Sequence, residues 1–107
     1  RGELVTSHVR LSKDIKLNEI IEIYQSKYRN DNFINIMSNG NVPNTINVRG
    51  TNNCDIAVIP GRVDKTLIII SAIDNLVKGS SGQAIQNMNL IHGWPEELGL
   101  HQISIFP

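Results

Sequence analysis

The sequence has a single cysteine, Cys54, in 107 residues. This excludes an internal disulfide and accords with a reducing compartment, so a cytoplasmic setting is expected. Neither sign of charge is in excess, because 10 Lys and Arg are matched by 10 Asp and Glu. No basic field is left to hold nucleic acid or an anionic membrane surface. Long apolar runs are missing as well: stretches such as Leu67 to Ile70 fall far short of the roughly 20 residues a membrane-spanning helix needs. There is no glycine-rich GxGxxG fingerprint, no signal-peptide pattern, no internal repeat and no low-complexity linker. The chain opens on Arg1 and enters a strand-like run at once, so the expectation is that further sequence precedes it.

What is present suits one small domain, since 40% apolar residues over this length are enough for a single core. Residues Glu3 to Leu11 alternate, with Val5, Val9 and Leu11 on one side and Thr6, His8 and Arg10 on the other, which predicts a half-buried strand. From Leu17 the period changes. Leu17, Ile20, Ile21, Tyr24 and Tyr28 share one helical face, predicting a helix to about Tyr28. Phe33 to Met37, Thr45 to Arg49 and Cys54 to Ile59 read as strands separated by polar breaks at Ser38-Asn39-Gly40-Asn41 and Gly50-Thr51-Asn52-Asn53. Thr66 to Ala72, rich in Ile, reads as a central strand covered on both faces. A second helix carries Ala84, Ile85, Met88 and Ile91, with Ser80 or Ser81 as its N-cap and Gly93 and Pro95 beyond its end. A short strand from Ile103 to Phe106 closes the order. The expected fold is α+β, a mostly antiparallel sheet covered by helices, with connections short enough for antiparallel pairing.

The segment Ala72-Ile73-Asp74-Asn75-Leu76-Val77-Lys78-Gly79-Ser80-Ser81-Gly82-Gln83-Ala84-Ile85-Gln86-Asn87-Met88-Asn89-Leu90 resembles the C-terminal signature of N-acetyl-gamma-glutamyl-phosphate reductases. Arg1-Gly2, Val48-Arg49-Gly50-Thr51-Asn52, Cys54-Asp55-Ile56 and the stretch Gly93 to Leu100 follow the same family in the same order. The resemblance covers nearly the whole chain and corresponds to about the last third of such enzymes. It implies the C-terminal substrate-binding and dimerisation domain of a protein similar to glyceraldehyde-phosphate and aspartate-semialdehyde dehydrogenases. It also implies an NADP-binding domain outside this sequence, a homo-oligomer (dimer or tetramer), and a role in arginine biosynthesis. Members of the family reduce an acyl phosphate with NADPH to an aldehyde through a thioester on a cysteine, aided by a histidine. Both of those residues are expected upstream of the matched region, so the chain alone is expected to be inactive.

Several residues carry two readings. Asn75, after the central strand, resembles in Asp74-Asn75 the pair that holds the nicotinamide amide in glyceraldehyde-phosphate dehydrogenase; the alternative is a turn residue satisfying local backbone. Gly79 opens a helix start, Gly79-Ser80-Ser81-Gly82, whose backbone N–H groups suit a phosphate or carboxylate, or which simply caps and packs closely. Gln83, one turn further on, faces the cofactor by resemblance or solvent by default. Arg49 and Lys78 are the candidate cations for the substrate's carboxylate or phosphate, against the ordinary reading as solvated surface charges. Cys54 sits in Asn53-Cys54-Asp55-Ile56, outside any nucleophile motif, and reads as a structural thiol. His8, His92 and His101 have no spacing that brings two onto one metal, and Trp94 reads as core or interface. Asn47 departs from the family pattern, where a histidine is expected. A stand-alone α+β ligand-binding or oligomerisation module is the rival to the enzyme reading.

Overall fold

The computed structural model describes residues 1–104. The elements are β1 (Glu3–Arg10), α1 (Leu17–Lys27), β2 (Ile34–Ile36), α2 (Thr45–Val48), β3 (Cys54–Pro60), β4 (Thr66–Ile73), a π turn (Val77–Ser81) and α3 (Gly82–Ile91). The four strands form one sheet in the order β1-β4-β3-β2. β4 pairs antiparallel with both β1 and β3, while β2 pairs parallel with β3. The sheet is therefore mixed. The reason is the Met37–Asn53 connection, which carries α2 and is long enough for the crossover that a parallel pair needs.

Register explains which side chains are buried. Val9 lies opposite Leu67, and Val58 opposite Ile69, so these residues share one sheet face. On that face α1 lays its apolar stripe: Ile20, Val58 and Leu67 form the buried centre, flanked by Leu17, Ile21 and Tyr24. The helix ends at Tyr28, whose N–H still reaches the Tyr24 carbonyl, before the polar Arg29–Asn32 stretch. The other face is covered over β4 by α2, with Val48, Ala57 and Ala72 almost fully buried. β4 is central as expected, yet Ile68, Ile69 and Ile70 stay only half-buried. One long helix and a single short turn do not close both faces.

Four local expectations are corrected. Thr45–Val48 is helical and not a strand: the Asn44 side chain accepts the Ile46 N–H at 2.9 Å, a cap that overrides the strand preference of β-branched Thr45, Ile46 and Val48. Neither Ser80 nor Ser81 caps α3 through its side chain, because the helical path already begins in the π turn. Of the two readings of Trp94, core or interface, the core one is excluded: it is about half exposed and stacks on His92 with centroids 4.7 Å apart. The expected Ile103–Phe106 strand is not formed at Ile103 and Ser104, and its last two residues lie outside the described residues.

After α3, Gly93 takes φ +68° and turns the chain back, the usual role of glycine just past a helix end. Asn89 is buried and donates from Nδ2 to the carbonyls of Glu96 (3.1 Å) and Leu98 (3.0 Å), which ties the tail to the helix and buries Leu100.

Candidate functional site

The polar residues of the resemblance gather at one end of the β1–β4 pair, around Asp74. This residue follows β4 and is fully buried. Its Oδ1 accepts the N–H groups of Leu76 (2.8 Å) and Val77 (3.1 Å), which starts the π turn in the manner of an N-cap. Its Oδ2 accepts the N–H of Gly50 (2.6 Å) and Nε of Arg1 (2.9 Å). Both oxygens thus carry two donors, and three separated chain segments meet on one carboxylate. Burial pushes the Asp74 carboxyl up, but the N–H groups of Gly50, Leu76 and Val77 together with the Arg1 guanidinium outweigh it, and the net displacement is downward. The group is an anchored anion.

Glycine is required at two of these contacts. Gly50 takes φ +78° directly after α2, a left-handed conformation that L side chains rarely adopt. Gly2 takes φ +109°, and a Cβ there would lie 2.5 Å from Thr45 Cβ. The Gly2 N–H donates to Asn75 Oδ1 at 2.8 Å. That bond sets the orientation of the Asn75 amide: an N–H must face an acceptor, so Nδ2 with its two hydrogens is left for other partners. Asn75 is exposed.

The other expected site residues are distributed differently. The helix-start amides are not free: Gly79 N–H donates to the Asp74 carbonyl (3.0 Å), Ser81 N–H to the Leu76 carbonyl (3.2 Å), and Gly82 N–H to the Val77 carbonyl. The anion-cradle reading of Gly79 thereby loses three of its donors, because the π turn uses the N–H groups of Gly79, Ser81 and Gly82. Gly79 itself remains exposed beside Asn75. Gln83 is exposed and accepts Asn87 Nδ2 at 2.9 Å. Arg49 is half-buried next to Gly50, and its side chain makes no hydrogen bond among the described residues.

Lys78 is turned into a second network. Its ammonium donates to Gln86 Oε1 at 2.7 Å and sits 5.4 Å above the Phe33 ring centroid. Burial pushes the Lys78 amine down, partly opposed by Cys54, Glu96 and Asp31. Gln86 also accepts Asn52 Nδ2 at 2.9 Å and donates to Glu96. Asn52 is fully buried, and its Oδ1 has no hydrogen-bond donor; it faces the Cα of Gly82, where an added Cβ would lie 2.4 Å away. Beside this network, burial pushes the Cys54 thiol up, with Lys78 opposing and Asp55 adding to it. A half-buried thiol held protonated fits the structural reading.

Sequence reasoning passed over Asp74 and Arg1 as individual site residues. Their link spans 73 positions, and nothing local in either segment signals it; the adjacency of Arg1-Gly2 and Asp74-Asn75 in the resemblance was the one available clue. A separate cavity of about 580 Å³ lies at the opposite end of the β1–β4 pair, against His8, Arg10, Arg62, Val63 and Ile68. It does not reach the Asp74 cluster.

The class defined by this fold and site is an α+β sheet domain that fills one face with its own helix, leaves part of the other open, and gathers its polar groups beyond the end of the central strand. A family model described as semialdehyde dehydrogenase, dimerisation domain, matches residues 1–75, and the chain belongs to that family. Over all 107 residues it is 43% identical to the N-acetyl-gamma-glutamyl-phosphate reductase of Geobacter metallireducens and 45% identical to that of Citrifermentans bemidjiense. The reductase of Thermoanaerobacter pseudethanolicus is also 45% identical over the same span. In each case the chain spans 31% of the relative's length.

Proposed function

We propose that the chain forms the C-terminal part of the catalytic domain of a cytoplasmic reductase in arginine biosynthesis. The reaction converts N-acetyl-glutamyl 5-phosphate to N-acetyl-glutamate 5-semialdehyde and phosphate. The observation that carries this reading is the identity of 41–45% along the whole chain with relatives bearing that enzyme's name. Phosphate would leave when a cysteine thiolate outside this chain forms the thioester, and NADPH, held mostly by a domain outside this chain, would then supply the hydride that releases the aldehyde and the thiolate.

Within the chain, Asn75 is the residue suited to the nicotinamide amide. Its Nδ2 is free to donate to a carboxamide oxygen because Gly2 has claimed Oδ1. Gly79 and Gln83, exposed on the following turns, line the same approach, Gly79 through its missing side chain and not its N–H. Arg49 is one cation within reach of a substrate that carries two anionic groups, a carboxylate and a phosphate; Lys78 contributes charge from behind, since its ammonium is already bonded to Gln86. The sheet face that α1 leaves uncovered pairs with a second subunit to give a homodimer, alone or within a tetramer.

The test is made in a full-length reductase carrying this segment. NADPH oxidation dependent on N-acetyl-glutamyl phosphate supports the reading, and its absence sinks it. Asn75→Ala is expected to raise the Michaelis constant for NADPH about tenfold, the worth of one or two hydrogen bonds, with a smaller change for the acyl phosphate.

A further inference from the structure

We infer that Arg1, oriented by the buried Asp74, is the guanidinium that receives an oxyanion of the acyl-phosphate substrate, its phosphoryl group or its carboxylate. The inference rests on the reductase reading given above. It starts from how Arg1 is held. Only Nε is used against Asp74, at 2.9 Å, and the side chain is 38% exposed while its partner is fully buried, so the guanidinium is pinned on one edge and still meets solvent. This is the one ion pair among the described residues. The remaining N–H groups of Arg1 have no acceptor among those residues.

A structural ion pair does not need this arrangement. Asp74 already has three backbone donors, enough to stabilise a buried carboxylate. What the fourth donor adds is a guanidinium set in a defined direction, with a fork of N–H groups matched to a planar or tetrahedral oxyanion. The surroundings favour donors over acceptors: the Asp74 oxygens are each doubly occupied, and Asn75 Oδ1 is taken by the Gly2 N–H. An anion at Arg1 therefore meets little repulsion from uncommitted lone pairs.

Position supplies the last step. Arg1 is covalently joined to Gly2, whose N–H donates to Asn75 Oδ1, so Arg1 and Asn75 are neighbours. Hydride transfer requires the nicotinamide ring to lie against the reacting carbon, and that same carbon carries the phosphoryl group before the thioester forms, so the departing phosphate starts next to the nicotinamide site. A residue beside the one suited to the nicotinamide amide is where an anion-binding group is needed. Asp74 acts through Arg1 and is a positioning residue.

The experiment uses the full-length reductase and reads binding, not turnover. Calorimetry measures the dissociation constants of inorganic phosphate and of N-acetylglutamate for the wild type, Arg1→Gln and Arg1→Lys, with NADPH affinity and the melting temperature as controls. Loss of a charge-assisted hydrogen-bond pair predicts that Arg1→Gln weakens one probe about ten- to a hundredfold, with NADPH affinity changed less than about twofold. A loss confined to phosphate identifies the phosphoryl group, and a loss confined to N-acetylglutamate identifies the carboxylate. Arg1→Lys keeps a cation for Asp74, so it is expected to fold with a near-native melting temperature and still lose the fork's contribution. It decides the matter if Arg1→Gln does not fold. Unchanged affinity for both probes in the folded variant, or a wild type that binds neither, overturns the inference. A wild type that binds an anion through Arg1 but does not reduce the acyl phosphate sinks the reductase reading alone.

Discussion

At the residue scale the molecule turns on how a buried charge is supported. Asp74 is held by three backbone N–H groups and the Arg1 guanidinium, and removing its charge leaves those donors without the anionic acceptor that orders them. Asp74→Asn can satisfy at most part of this set, because its NH2 group would face an N–H. We expect it to cost about 3 kcal/mol in chemical denaturation, with loss of order in both the Arg1 and Gly50 segments. The carboxyl is displaced downward in the folded state, so its contribution is complete above the unfolded value of about 4. It is lost as pH falls through the lower folded value. Wild type should therefore lose stability on acidification in that window, while Asp74→Asn shows a flatter acid limb; equal slopes would refute the account. Cys54 gives the opposite sign. Its thiol is pushed up by burial, so alkylation by iodoacetamide should be slow at pH 7, with a rate midpoint above the free-thiol value of about 8.5. Rapid stoichiometric labelling at neutral pH would make Cys54 a reactive thiol after all.

At the element scale two glycines of one helical stretch are predicted to behave in opposite ways. A Cβ on Gly79 meets Ile73 Cδ1 at 3.4 Å, ordinary contact, whereas on Gly82 it would lie 2.4 Å from Asn52 Oδ1 and 2.9 Å from the Val77 carbonyl oxygen. Gly79→Ala should be neutral or stabilising by up to about 1 kcal/mol, as a helical glycine replaced by alanine. Gly82→Ala should lose about 1–3 kcal/mol through overpacking, and thermal melts of the pair distinguish the two. The same stretch shows what was legible beforehand. Alternation and the i, i+3, i+4 spacing placed β1, α1, β3, β4 and α3 within a residue or two; in α1, β3 and β4 a buried face imposes that period, whereas the apolar residues that marked α3 are exposed in this chain, and β1, read as half-buried, has only Val9 partly covered. The π turn and α2 were not legible. The first is set by Asp74 accepting backbone donors ahead of the helix. The second is set by the Asn44 cap and by the burial of Val48 against β4, facts of tertiary context that override the local preference of Thr, Ile and Val. The Asp74 cluster was half legible: its residues stood in the matched segments, but only the fold brings Arg1, Gly50 and Asp74 together.

At the scale of the whole molecule, apolar surface is left in two places with different geometry. One is the sheet face opposite α1, where Leu4 lies opposite Ala72 in register and is 54% exposed; the cavity against His8, Val63 and Ile68 lies at the other end of the same strand pair. The other is α3, where Ile85, Met88, Leu90 and Ile91 are exposed, Ile91 at 82%. A two-fold interface needs a self-complementary patch on a rigid element, and a sheet face backed by α1 and a filled core supplies one. α3 is instead a single helix packed on the π turn and the returning tail, with its apolar residues turned away from both. The two surfaces should therefore respond to different substitutions in a full-length reductase. Leu4→Asp places a charge in the sheet-face contact and should shift sedimentation equilibrium toward monomer by tenfold or more in dissociation constant, about the cost of burying an unpaired carboxylate. Ile91→Asp should leave the oligomer intact. If α3 packs on the cofactor domain of the proposed function, the effect of Ile91→Asp should appear instead as faster proteolysis of the full-length reductase. Dissociation by Ile91→Asp with no effect of Leu4→Asp would reverse the assignment and make α3 the subunit contact.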